Sequence, residues 1–159
     1  MAIRTIREEG DEILRKKSRE VEEINEKVVA LIEDMFETMQ KFNGVGLSAV
    51  QVGILKRIIV IDTGEEGEKF ALINPEIIKT KGEQTVEEGC LSFPNKYGKI
   101  VRPAEVVVKG LNEKGKTVKI KAKDLLAQAI AHEVDHLNGE LFVDKIIPGT
   151  LEYIEPEKK

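Results

Sequence analysis

The stretch Asp124-Leu-Leu-Ala-Gln-Ala-Ile-Ala-His-Glu-Val-Asp-His136 decides how the rest of the chain is read. Leu125, Leu126, Ala129 and Ile130 recur at helical spacing and lead into His132-Glu133-Val134-Asp135-His136, with Asp124 as a natural N-cap. His132 and His136 are the two histidines of the 159-residue chain, and residues i and i+4 share one helix face. Two imidazoles on one face, with a glutamate beside the first, can bind a divalent metal and supply a proton carrier. The pattern points to an enzyme.

A catalytic site needs at least one more protein ligand. Zincin-type peptidases usually find theirs downstream, where this chain offers Glu140 and Asp144 but no histidine. The better candidate lies upstream: Cys90, the sole cysteine, in Glu87-Glu-Gly-Cys-Leu-Ser-Phe-Pro94. A thiolate with two imidazoles leaves a fourth position open for water, as a hydrolytic site requires. A closed structural site usually wants four Cys or His ligands, and this chain has three such residues. The plainer readings are a buried cysteine acting as a small hydrophobe and a histidine pair at the surface or on a structural metal. Gly44-Val-Gly-Leu-Ser-Ala49 also satisfies the dinucleotide pattern, but that fingerprint follows a strand, whereas a helical pattern precedes it here.

Outward from these blocks, residues 11–18 suit a short helix. Asn25 then caps a helix of about 16 residues built on Val28, Val29, Ile32, Met35, Phe36 and Met39, ending before Asn43-Gly44. The glycine-bearing run 44–53 reads as a shaped loop. Residues 57–62, 70–73 (ended by Asn74-Pro75), 77–85, 100–109 and 116–121 read as strands, with Asn112-Glu-Lys-Gly115 as a hairpin turn. Thr117, Lys119 and Lys121 alternate with Val118 and Ile120, which predicts one wet face. These elements predict an α+β fold: a mainly antiparallel sheet around a C-terminal helix carrying the metal motif, plus an N-terminal amphipathic helix. Residues 1–148 are expected to form one catalytic domain, and 149–159 a short frayed tail.

Composition narrows the classes further. The net charge of −4 and the lack of an aromatic-and-basic stripe argue against a nucleic-acid site. A lone cysteine fits a reducing compartment. Residues 1–7 lack the apolar run of a signal peptide, and no run approaches the roughly 20 apolar residues of a membrane span. The expectation is a cytoplasmic protein. Charged residues make up 34% of the chain, with both signs interspersed; this suits a solvated surface or the ion-pair networks of a heat-adapted protein.

Three blocks together resemble the peptide deformylase family. Its pattern G-x-G-x-A-A-x-Q is matched by Gly44-Val-Gly-Leu-Ser-Ala-Val-Gln51, its E-G-C-L-S by Glu88-Gly-Cys-Leu-Ser92, and its H-E-x-D-H by His132-Glu-Val-Asp-His136. Order and separation agree over nearly the whole chain. Ser48 departs from the pattern by replacing the first alanine, and Gly10-Asp11 stands where the family often has Pro-Asp.

The resemblance implies that Cys90, His132 and His136 bind one divalent ion per chain. Fe2+ is the expected ion, and Zn2+, Ni2+ or Co2+ could occupy the same set; the donor types alone would suggest zinc. It implies hydrolysis of the formyl group from the formylmethionine of new polypeptides, releasing formate. Glu133 would act as proton carrier, with the Gln51 side chain and the Leu91 backbone N–H stabilising the oxyanion. The substrate would bind as an extended strand along Val45, Gly46 and Gly89. Leu125, Gln128 and Ala129 share the face of His132 and, with Val45 and Val86, would line a methionine pocket; ordinary core packing is the equal alternative. Asp135 is expected to orient a ligand. The implied partners are the formylmethionyl polypeptide and, transiently, the ribosome, with a monomer as the expected state. Some relatives dock on the ribosome through a longer basic C-terminal helix, whereas this tail holds Glu152, Glu155 and Glu157 against Lys158 and Lys159.

Overall fold

The structure is a computed structural model and describes residues 2–154. Among these residues, helix α1 (Glu26–Lys41) and helix α2 (Asp124–Leu137) pack on one antiparallel sheet. Its strands are β1 (Gly46–Ser48), β2 (Ile58–Asp62), β3 (Lys69–Cys90), β4 (Phe93–Leu111) and β5 (Thr117–Lys123), neighbours in that order, with β6 (Glu152–Tyr153) pairing with the first part of β4. The α+β architecture matches the expectation from periodicity.

Helix α1 starts where Asn25 Oδ1 accepts the Val28 N–H at 3.1 Å. It buries Val28, Leu31, Ile32, Met35 and Met39 along one face. It stops at Asn43, which takes the left-handed conformation (φ 56°) before Gly44. The run Ile58-Ile-Val-Ile61 is apolar throughout because β2 lies between the helices: Ile58 and Val60 join the cluster under α1, while Ile59 and Ile61 join the cluster under α2. A strand buried on both faces reads as a continuous hydrophobic run. A third cluster of Leu14, Phe93, Ile100, Leu141 and Phe142 closes the end near Cys90.

Four local expectations are corrected. The short helix at 11–18 is a single 3-10 turn, Glu12–Arg15, which buries Leu14. Asn74-Pro75 does not end a strand. Asn74 adopts φ 53° at a bulge, and its side chain pairs with both backbone groups of Val21 (2.8 and 2.9 Å), so 70–73 and 77–85 belong to one strand. Asp124 is not the cap of α2. Strand β5 runs into the helix with no loop, and Asp124 takes the bend itself at φ 55°, a conformation Asp tolerates. The tail is not wholly frayed, since Glu152 and Tyr153 pair with Tyr97 and Lys96; residues 155–159 lie outside the described residues. No helix among the described residues is long and apolar enough to cross a membrane.

Candidate active site

Helix α2 presents His132 and His136 one turn apart, their ring centroids 4.9 Å from each other. Cys90 meets them from the end of β3, where the chain turns through Leu91 and Ser92 into β4. Its Sγ lies 3.2 Å from His136 Nε2, and one ligand atom from each of the three residues falls within 4.8 Å of the others. Soft sulfur with two imidazoles, gathered this closely and mostly buried, fits a divalent transition metal.

The His132 ring is held from behind. Its Nδ1–H donates to Glu88 Oε2 at 2.6 Å, which leaves Nε2 as the free ligand atom. Glu88 stands two residues before Cys90, on the same face of β3. Burial would raise its carboxyl, but hydrogen bonds from His132 and Arg102 outweigh that and hold it at about 2. Arg102, on β4, donates through Nε and Nη2 to both Glu88 oxygens (3.0 and 2.5 Å) and through Nη1 to Asp135 Oδ2 at 2.6 Å. Lys145 Nζ reaches the same Asp135 oxygen at 3.1 Å. Asp135 therefore anchors α2 to this arginine and touches neither histidine through a hydrogen bond. Burial pushes His136 well below its ordinary pKa, which favours the neutral ligand form, and its Nδ1 has no hydrogen-bond partner among the described residues.

Glu133 is buried at 4% exposure beside these ligands. Burial pushes its carboxyl up to about 7. Gly46 makes room for it: a Cβ at 46 would lie 2.7 Å from Glu133 Oε2. Gln51 approaches from the 3-10 turn Ala49–Val52, its Nε2 donating to Ser92 Oγ at 3.1 Å and facing Cys90 Sγ at 3.5 Å.

Of these groups Gln51, Glu88, Cys90, His132 and Glu133 open on one cleft of about 1060 Å³. Val45, Gly46, Gln51, Gly89, Leu91, Leu125, Ala129, His132 and Glu133 line it. Val45 and Leu125 are exposed at its rim, and a Cβ at Gly89 would meet the Tyr97 ring at 2.8 Å. Val86 is the exception. It packs against the Phe93, Ile100 and Phe142 cluster beside Cys90 and does not line the cleft. Gln128 gains a definite place, its Nε2 donating to Glu87 O and Glu88 Oε1, both at 3.3 Å.

Sequence reasoning missed Arg102 and the part played by Glu88. The available signal was alternation: Ile100, Arg102, Val106 and Val108 share one buried face of β4, so a charge at 102 points inward and needs a buried partner. It also missed the N-terminal segment, whose residues Ile3–Ile6 form part of the cleft wall.

A three-ligand metal set, a buried carboxylate lining the same cleft and an amide donor facing the cysteine ligand define a metal-dependent hydrolase. A family model for polypeptide deformylase matches residues 3–151. A peptide deformylase of Clostridium acetobutylicum is 59% identical over 146 residues, covering 92% of this chain and 96% of that protein. Crystal structures of the deformylases from Legionella pneumophila (46% identity) and Thermotoga maritima (41%) superpose with TM-scores of 0.88 over 92% of this chain, and over 87% and 99% of theirs. The chain belongs to the polypeptide deformylase family, whose members are metal-dependent hydrolases that remove the N-formyl group from new polypeptides.

Proposed function

We propose that this chain hydrolyses the formyl group from the N-terminal formylmethionine of newly made polypeptides, with Cys90, His132 and His136 holding one ferrous ion. The supporting observation is the grouping of the Cys90, His132 and His136 donors at a cleft that Cys90, His132, the Glu133 carboxyl and the Gln51 amide line together. A divalent ion in that set supplies a Lewis acid that lowers the pKa of a water, from 15.7 to about 7 in zinc sites. Glu133 takes the proton of the attacking water and delivers it to the leaving amine as the C–N bond breaks, work typically worth ~10²–10⁴-fold. A carboxyl near pH 7 suits both directions of transfer.

Gln51 Nε2 and the Leu91 N–H donate to the formyl oxygen as it gains charge, and losing one such donor costs roughly 2.7–4 kcal/mol of barrier. The peptide lies extended along Val45, Gly46 and Gly89, where two glycines allow close backbone approach. The methionine side chain rests on Leu125 and Ala129, with Gln128 held aside by its bonds to β3. Formyl has only hydrogen beyond its carbonyl carbon, so a tight site excludes acetyl and larger groups by steric exclusion. In this reading residues 1–148 are one catalytic domain, working as a cytoplasmic monomer that meets its substrate in transient contact with the ribosome.

The test is formate release from formyl-Met-Ala-Ser by protein purified without oxygen and loaded with Fe2+. Release that fails with the acetylated peptide is expected. Folded, metal-loaded protein that releases no formate refutes the reading. Iron bound to protein isolated without oxygen tests the metal assignment; zinc in its place refutes it.

A further inference from the structure

We propose that Ser48 is a positioning residue that fixes the side-chain amide of Gln51. The inference rests on the reading of Gln51 as the donor to the formyl oxygen. Ser48 and Gln51 are buried at 0% and 1% exposure. Gln51 Oε1 accepts two hydrogen bonds from one residue, from the Ser48 N–H and from the Ser48 hydroxyl, both at 3.0 Å. The other end of the amide, Nε2, is thereby aimed at Ser92 Oγ and Cys90 Sγ. Ser48-Ala-Val-Gln51 has the S-x-x-Q pattern of a capping box at the start of the 3-10 turn, and the half of it in which the Gln51 side chain accepts the Ser48 N–H is formed.

A carboxamide has nearly the same shape in both orientations, so packing alone does not choose between them. Orientation decides the chemistry. Turned over, the amide would present its oxygen to the thiolate and to the formyl oxygen, two groups that repel it, and would set its NH2 against the Ser48 N–H. The backbone N–H, which can only donate, selects against that flip, and the hydroxyl adds a second hydrogen bond that holds the amide in place. Accepting a second hydrogen bond at Oε1 also polarises the amide, which strengthens the Nε2–H groups as donors. The hydroxyl has no other hydrogen-bond partner among the described residues, and alanine would fill the same space less one atom. The serine oxygen therefore acts through Gln51.

The experiment is a double-mutant cycle on the metal-loaded full chain with Ser48→Ala, Gln51→Leu and the pair, measuring kcat, KM and melting temperature. Ser48→Ala should lower kcat about 3- to 10-fold, the worth of one neutral hydrogen bond, with KM and melting temperature close to wild type. In the Gln51→Leu background the same change should do nothing. The Gln51 side-chain amide resonances of isotopically labelled zinc-loaded protein should shift and exchange faster in Ser48→Ala. An equal loss in both backgrounds, no loss in either, or unmoved resonances overturns the inference. A Gln51→Leu variant with unchanged kcat removes the reading of Gln51 itself, and this inference with it.

Discussion

Replacing Arg102 by methionine removes the buried guanidinium that joins Glu88 to Asp135. Arg102 is 3% exposed and Glu88 5%. Three charge-assisted hydrogen bonds are lost, two to Glu88 and one to Asp135. Breaking a buried ion pair from one side typically costs 3–5 kcal/mol, because the remaining charge is stranded. Here the strand is incomplete: Glu88 keeps His132 and Gln128, and Asp135 keeps Lys145. The expected loss therefore lies at the low end, about 3 kcal/mol. A domain of this kind holds roughly 5–15 kcal/mol, so the variant still folds.

Its second effect is on the metal. Without Arg102, one of the two groups that hold Glu88 ionised is gone, and the His132 ring loses a firm acceptor at Nδ1. Loss of such support typically lowers metal affinity 10–100-fold. Urea unfolding of the zinc-loaded protein measures the first effect, and competition with a chromophoric chelator the second. Arg102→Met combined with Glu88→Gln should recover part of the stability but none of the affinity. A single variant within 1 kcal/mol of wild type, with unaltered zinc affinity, would refute the reasoning.

Three further outcomes are expected. Glu133→Ala should keep its metal and lose at least ~10²-fold in kcat; near-native turnover of the folded variant would sink the proton-carrier role. Gly46→Ala places a methyl group 2.7 Å from Glu133 Oε2, so kcat should fall with metal content unchanged, and full activity would show that the carboxylate moves freely. Asp34 accepts hydrogen bonds from the Ala2 N–H (2.7 Å) and Arg4 Nε (3.0 Å); burial would raise its carboxyl, yet those bonds hold it below its ordinary 3.8. A lowered folded-state pKa gives stability that is full above the unfolded value and lost as pH falls through the folded one. Asp34→Asn should therefore cost about 1 kcal/mol at pH 7, and the gap to wild type should close below pH 3.8; a gap constant with pH would assign the loss to packing.

What was legible in the sequence was local or repeated. Helix α1 announced itself through Asn25 and its apolar stripe, and β2 through an unbroken β-branched run. The metal ligands stood out because the chain has so few residues able to fill that role. What escaped depends on pairing between distant segments. Asn74-Pro75 looks like a stop until Val21 is known to lie alongside and bond to the asparagine. Arg102 looks like any exposed lysine or arginine of a strand until Glu88 and Asp135 arrive from β3 and α2. Val86 follows the alternation of Glu88 and Cys90, but the third apolar cluster captures it. Ser48 shows only as a departure from the family pattern, because its S-x-x-Q spacing to Gln51 sits inside a motif already given another meaning.

The charges around the site explain why it takes a divalent cation and why binding it couples to the fold. Glu88 and Cys90 come from β3, Arg102 from β4, and Asp135 with both histidines from α2. Arg102 pairs with Glu88 and Asp135, and Lys145 shares Asp135; a Cys90 thiolate and the buried Glu133 carboxyl carry negative charge that these cations do not meet and that a divalent ion would offset. The same three elements must be docked for that charge to exist in one place, since the unfolded chain scatters the ligands over 47 positions from Cys90 to His136. Metal binding is thus paid into the sheet–helix contact itself. By mass action an ion at a hundred times its dissociation constant adds about 2.7 kcal/mol to stability. Arg102 lowers the mutual repulsion of the two carboxylates. It keeps one carboxylate fixed to each element while the ligands wait, so that the histidine ring, the thiolate and the glutamate of the cleft are already in place when the cation arrives.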